Sequence, residues 1–395
     1  MKDQKKKLLI AIDPGFDGGK IVINNSLVLN VPYVAQDITS AEMDDSVIRA
    51  DSANYICYDN GGRKYCVGSF AKRSMLDVRR ANTEDKYRIA SFYDVRRRFS
   101  SEEFKICFES IIGYALIRYE EATKKTESPF TCSDLLNYDL IIGIALPHEH
   151  LKALWEEMKP FVNGEHEFNL TVGLQKSRKF KFTFAKSMAY SQALSAFYCA
   201  MANNDGSNRY PLDSFAPAIV ILAGYKTLER FEYSRTGVIL VGDDNNPSNE
   251  VYAMYNVNHD VVERIQREIP GSTVTEYEIE SSIYSGKETF NVLDADKNLV
   301  AVPVATYRKE ALKKKCLEMI ENTRENFDYF RTTSTILVAG GTGAQYYEYI
   351  KDWCDSQDTL KDKAILVTEE INGVTYDSVY AVAIGLAKIL KDNYA

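Results

Sequence analysis

A chain of 395 residues has room for roughly two or three domains and a substantial core. Its 48 basic against 56 acidic residues give a formal net charge of −8, which excludes nucleic-acid binding through a global positive field and leaves only local basic patches. Seven scattered cysteines with no CxxC read as reduced intracellular thiols, neither a disulfide framework nor a zinc site. The N-terminal MKDQKKKLLIAID imitates a signal peptide, but its apolar run stops at Asp13 and is too short for one. No stretch approaches the roughly 18 apolar residues of a membrane span, so a cytoplasmic protein without a membrane partner is expected.

Residues 8–24, LLIAIDPGFDGGKIVIN, are an apolar strand, a glycine-rich turn and a second apolar strand. Asp13, Gly15, Gly18, Gly19 and Lys20 suit polyphosphate. The glycines are expected to permit positive φ and to let backbone N–H groups approach an anion. Lys20 supplies a point charge, and Asp13 a hold on the hydration shell of Mg²⁺. A P-loop would need GxxxxGK[ST] opening a helix, so this is a different device. The alternative is an ordinary hairpin with a charged tip. A third strand follows at 26–34, after a turn at Asn24-Asn25-Ser26.

Residues 36–100 are polar and tyrosine-rich, with a hairpin pattern at 55–68, and read as an inserted subdomain. A helix is predicted over 101–122 from its serine cap and apolar spacing, and a strand buried on both faces over 138–146. His148-Glu149-His150 precedes an amphipathic helix. It reads as capping and surface, since no third metal ligand is evident. A basic strand pair over 168–184 and a small-residue helix over 186–204 follow.

A second strand-turn-strand begins at Ala218 and again carries glycine and lysine, Gly224 and Lys226, in its turn. Further along, helices are predicted over 261–268, 308–327, 344–354 and 377–390, and strands over 288–304, 335–342 and 364–368. No sequence repeat is detectable, yet three strands followed by helix, strand and helix occur once in each half. That order predicts a two-lobed α/β protein.

Taken together, these units resemble the actin/Hsp70/sugar-kinase ATPase superfamily. DPGFDGGK at 13–20 is similar to its first phosphate loop, and LVAGGTGA at 337–344 to its adenosine motif. AYSQALSAFYCA at 189–200 and DSVYAVAIG at 377–385 resemble its two connecting helices. Within the superfamily the chain is most similar to the ParM-type plasmid-segregation actins. The resemblance implies a two-lobed actin-like fold, a duplicated ribonuclease H-like α/β architecture, with an interlobe nucleotide cleft. Lobe I would be 1–187, with the insertion at about 36–100, completed by 375–395. Lobe II would be 188–374, with an insertion at about 258–330.

It further implies ATP, or GTP, with Mg²⁺ held through water by Asp13, and Gln192 where actins orient the attacking water. Nucleotide contacts would come from Gly15, Phe16, Asp17, Gly18, Gly19 and Lys20, from Gly224, Tyr225, Lys226 and Thr227, and from Gly340, Gly341, Thr342 and Gly343. One departure stands out: AIVILAGYKT at 218–227 lacks the Asp of the second phosphate loop, which falls on Leu222 or Ile221. Placing that loop at Asp243-Asp244-Asn245-Asn246 restores an acid but spoils the spacing. Without the Asp, hydrolysis is expected to be slow. The implied function is a polymerising ATPase whose helical filaments of self-associated chains segregate plasmid DNA. DNA would be reached indirectly, through a centromere-binding adaptor. The alternatives are a small-molecule sugar or acid kinase of the same fold, or a filament former with weakened hydrolysis. The clusters Arg79-Arg80 and Arg96-Arg97-Arg98 are candidates for a filament contact, against a plain solvated face.

Overall fold

The computed structural model describes residues 5–16, 18–40, 45–73, 98–237, 239–240, 248–249 and 251–394. It divides into two compact units. One comprises Met1–Ser207, Glu370–Thr375 and Val382–Ala395, and the other Asn208–Glu369 and Tyr376–Ala381. Asp17, Arg79, Arg80, Arg96, Arg97 and the alternative loop at Asp243-Asp244-Asn245-Asn246 lie outside the described residues.

The first unit is built on a sheet with β1 (Lys6–Pro14) at its centre. β2 (Gly19–Ile23) and β3 (Leu27–Val31) follow it as antiparallel neighbours on one side. β7 (Tyr138–Leu146) and then β10 (Lys186–Ser191) lie parallel on the other. Leu8–Ile12 and most of β7 are buried, as expected of apolar runs covered on both faces. Asn24 and Asn25 close the β2–β3 turn with φ of 49° and 52°, a left-handed pair that short polar side chains tolerate. A second sheet in this unit runs β4 (Ala35–Asp37), β6 (Lys64–Val67), β5 (Ile56–Asp59), β8 (His166–Val172), β9 (Arg178–Phe182). The helix α2 (Glu102–Thr123) follows a short α1 (Asp45–Ala50) in the chain. It opens on Ser101, whose hydroxyl accepts from the Phe104 N–H at 3.1 Å, and shares its core with both sheets.

The second unit repeats the plan. β11 (Ala218–Ala223) is central, with β12 (Leu228–Tyr233) and β13 (Ile239–Leu240) antiparallel on one side, and β17 (Thr335–Ala339) and β18 (Ala364–Leu366) parallel on the other. Both five-strand paths therefore have the same order and the same strand directions. The duplication lies in topology, where no sequence repeat reveals it. Helices and a small hairpin complete the unit. They are the short α5 (Leu212–Phe215), α6 (Met254–Glu268), α7 (Glu276–Tyr284), β15 (Phe290–Leu293) with β16 (Leu299–Val302), α8 (Val304–Asn326) and α9 (Gly341–Asp355), and the short β14 (Ser248–Asn249) pairs with β12.

Several local expectations need correction. The helix predicted over 186–204 is a strand to Ser191 and then α4 (Gln192–Met201), because Lys186–Ser191 pairs in parallel with β7. The helix expected at 261 begins at Met254. Its first N–H groups donate to the β11–β12 turn, from Met254 to the Gly224 carbonyl and from Tyr255 to the Tyr225 carbonyl. The stretch over 288–304 is two short strands. The charged segment before it contains α7, opened by a reciprocal capping box between Thr275 and Glu278. His150 occupies the cap of α3 (Leu151–Val162) but makes no side-chain cap bond. Among the described residues no group of three His, Cys, Asp or Glu is placed for a metal, and no helix is long and apolar enough to cross a membrane.

Candidate functional site

In the first unit the C-terminal ends of β1, β7 and β10 line up in parallel register. In such sheets ligands bind beyond those ends. Asp13 is the penultimate residue of β1 and lies directly opposite Lys20 of β2. Both are buried, at 5 % and 8 % exposure. Gln192 is the first residue of α4, immediately past β10. From there its side-chain amide donates to Asp13 Oδ1 at 2.7 Å, across 179 residues of sequence. With its NH₂ donating to the carboxylate, the Gln192 carbonyl oxygen is the group left to accept a hydrogen bond from a water. Ser191 holds the helix start by accepting from the Leu194 N–H at 3.3 Å.

The glycines of this turn act differently from expectation. None of Gly15, Gly18 and Gly19 takes the left-handed backbone. They are required by close approach. A Cβ on Gly18 would meet Asn30 Oδ1 at 2.6 Å and the Val31 carbonyl oxygen at 2.9 Å. One on Gly19 would meet Tyr33 at 2.7 Å and Ile111 at 2.8 Å. A Cβ on Gly15 would lie 2.8 Å from Lys20 Nζ, so this glycine leaves room for the ammonium. Phe16 packs partly against the core.

α4 is held from behind by α10 (Ala381–Tyr394) at backbone contact. A Cβ on Gly385 would fall 1.7 Å from the Ser195 carbonyl oxygen. Beside it the buried Lys388 Nζ donates to the Cys199 carbonyl at 3.1 Å and the Ala202 carbonyl at 2.5 Å, satisfying the C-terminal end of α4.

In the second unit the two glycine motifs interlock. Gly340 caps α9 with φ 88°, and a Cβ there would lie 2.3 Å from the Ala223 carbonyl oxygen. Its N–H donates to the Ser378 carbonyl at 3.0 Å, and the Ser378 hydroxyl donates back to the Gly340 carbonyl at 3.0 Å. Thr342, also buried, donates its hydroxyl to the Gly224 carbonyl at 2.7 Å, and the Gly224 N–H donates to the Thr227 carbonyl at 2.8 Å. Thr342 thus braces the turn. Gly341 and Gly343 are looser, with a Cβ meeting its nearest atom at 3.4 and 3.3 Å. Ile221 and Leu222, the two positions on which the carboxylate expected of a second phosphate loop falls, are both buried apolar side chains.

Tyr255 is a residue of this region that the sequence did not single out, because the start of α6 was placed too late. Lys226 Nζ lies 3.1 Å above its ring centroid, Tyr225 packs edge-on to it, and His259 stacks on it with an interplanar angle of 10°. His259 Nδ1 lies 2.8 Å from Glu276, and that hydrogen bond, ahead of the nearby acids, raises its pKa above 6.5. A raised pKa means a contribution to stability present in full below pH 6.5 and lost as pH rises through the folded-state value. The half-exposed ring limits this to below about 1 kcal/mol. The expected result is a small fall in melting temperature between pH 6 and 8 that His259→Gln abolishes.

No family model and no curated protein matches the sequence. Solved structures do. A 15-stranded ParM filament from Clostridium botulinum matches with TM-score 0.64 and 17% identity, over 98% of this chain and 99% of that one. The archaeal actin homolog Ta0583 matches with TM-score 0.62 and 15% identity, over 98% and 99%. A Bacillus thuringiensis ParM solved with ATP matches with TM-score 0.58 and 14% identity, over 98% and 100%. The fold is that of the actin-like ATPases. Among them it is similar in form to ParM.

Proposed function

We propose that this chain is a nucleotide-dependent, filament-forming ATPase of the actin type. The observation that carries the reading is the Gln192–Asp13 pair. A water-orienting amide is anchored on a buried carboxylate at the strand ends, beside Lys20. The residues fit a nucleoside triphosphate with Mg²⁺. One buried carboxylate suits a magnesium ion that keeps its waters and takes phosphate oxygens. When bound, Mg²⁺ supplies charge neutralisation on the phosphate oxygens. Asp13 would hold its water shell. Lys20 would hold phosphate in the first unit, at the turn that carries Gly15, Phe16, Gly18 and Gly19. Gly224, Tyr225, Lys226 and Thr227 would do so in the second, and Gly340, Gly341, Thr342 and Gly343 would meet the nucleoside. Gln192 positions water and does not titrate, so it aligns the nucleophile without taking its proton. Leu222 supports slow turnover, because an apolar side chain holds no metal-bound water.

The ParM filament among the structural neighbours supports self-association. A head-to-tail contact that does not close yields a helical filament, and hydrolysis would time its disassembly. In this reading the filament moves plasmid DNA in the cytoplasm through a centromere-binding adaptor, with no direct DNA contact. Titration with fluorescent ATP and GTP analogues, with and without Mg²⁺, tests the site. Lys20→Ala is expected to weaken triphosphate binding about ten- to a hundred-fold. Equal binding by wild type and variant would remove Lys20 from the site, and no binding by either would remove the nucleotide.

A further inference from the structure

We propose that Cys57 and Cys66 are an oxidation site, a cross-strand thiol pair that hydrogen peroxide closes to a disulfide. The two residues face each other in the antiparallel β5–β6 register. Neighbouring hydrogen bonds fix which kind of pair they form. The Lys64 carbonyl of β6 accepts from Ile38 on the β4 side, and the Tyr55 carbonyl accepts from Gly173 on the β8 side. Cys66 is two residues from Lys64 and Cys57 two from Tyr55, so their backbone groups likewise point away from each other. The turn agrees. Asn60 donates to the Arg63 carbonyl at 3.3 Å, a bonded pair, and counting back in alternation makes Cys57–Cys66 a non-bonded one. Non-bonded pairs hold their Cα atoms about 4.5 Å apart with the side chains close together on one face. Disulfides span about 4.4–6.8 Å between Cα atoms.

Cys57 is half-buried and Cys66 fully buried, both in the apolar cluster of Ile38, Ile48, Tyr55 and Phe70. Peroxide therefore meets Cys57 first. The Cys57 thiol and H₂O₂ give a sulfenic acid and water. Cys66 sulfur then attacks the Cys57 sulfur, its proton leaves with the hydroxyl as a second water, and the S–S bond forms. Burial pushes the Cys66 thiol up to about 12 and raises Cys57 as well, so both steps accelerate with pH. The other five cysteines lie in helical segments with no cysteine in register. The bond would tie together two inner strands of the five-stranded sheet.

The test needs only the folded full chain, treated with hydrogen peroxide at increasing pH, quenched and digested with trypsin. Arg63 and Lys64 lie between the two cysteines, so the proposal predicts two joined peptides, lighter by two hydrogens than their sum. Their yield should rise with pH and vanish on reduction and in Cys57→Ser and Cys66→Ser. Peroxide that carries Cys57 to its sulfinic acid with no joined peptide, or that links either cysteine to one of the other five, would overturn it.

Discussion

Gly385→Ala is expected to lose about 3–5 kcal/mol of folding stability, among the largest single-residue effects in the chain. The added methyl would stand 1.7 Å from a backbone oxygen, that of Ser195, with the Cys199 nitrogen at 2.9 Å. Neither obstacle is a side chain that can rotate away, so α4 and α10 must separate. Separation strips Lys388 from the Cys199 and Ala202 carbonyls and leaves a buried ammonium without them. It also shifts α4, which carries Gln192 at its first position. Urea unfolding should show a much lower midpoint for Gly385→Ala. Gly341→Ala, whose methyl meets only Val379 Cγ2 at 3.4 Å, should unfold near wild type. Equal midpoints for both variants would show that the helices are not held at backbone contact.

Gln192→Ala is expected to slow phosphate release about 10²–10³-fold while leaving triphosphate affinity within a few-fold. In the proposed role the amide would align a water, which matters in the transition state more than in the bound state. Its anchor on Asp13 at 2.7 Å makes the alignment specific. Gln192→Glu keeps the shape but sets a second carboxylate against Asp13, so it should be slow as well, and sensitive to pH as one of the two acids takes up a proton. Asp13→Ala removes the anchor and, with it, the proposed hold on hydrated Mg²⁺, and it should lower affinity together with rate. Single-turnover phosphate release, with affinities measured in parallel, separates the three. Loss of affinity in Gln192→Ala with an unchanged rate would move this residue from water alignment to substrate holding.

Much of this was legible in the chain because local chemistry and tertiary structure agree. The apolar runs around Asp13–Lys20 and Ala218–Thr227 dictate strand-turn-strand, and the structure builds both. Ser101 announces α2, and the glycines after Thr335–Ala339 announce a strand running into a helix. What escaped depends on partners distant in sequence. Lys186–Ser191 is rich in small and polar residues and becomes a strand only because β7 pairs with it, and that pairing sets Gln192 at a helix start instead of mid-helix. The reason for Gly18 and Gly19 was misjudged for the same cause. A turn motif suggests backbone freedom, whereas Asn30, Val31, Tyr33 and Ile111 impose closeness. Tyr255 was invisible because the first turn of α6 is ordered by the carbonyls of Gly224 and Tyr225. α7 is a different case, since its Thr275–Glu278 box stands in the sequence as a start signal that the reading passed over.

High-speed pelleting with parallel phosphate release tests the central claim most directly, on wild type and Asp13→Ala, with ATP, GTP or no nucleotide. Wild type is expected to pellet with triphosphate and Mg²⁺ and then to release phosphate slowly, with both lost in Asp13→Ala. Wild type that stays in the supernatant with every nucleotide at high protein concentration would contradict it.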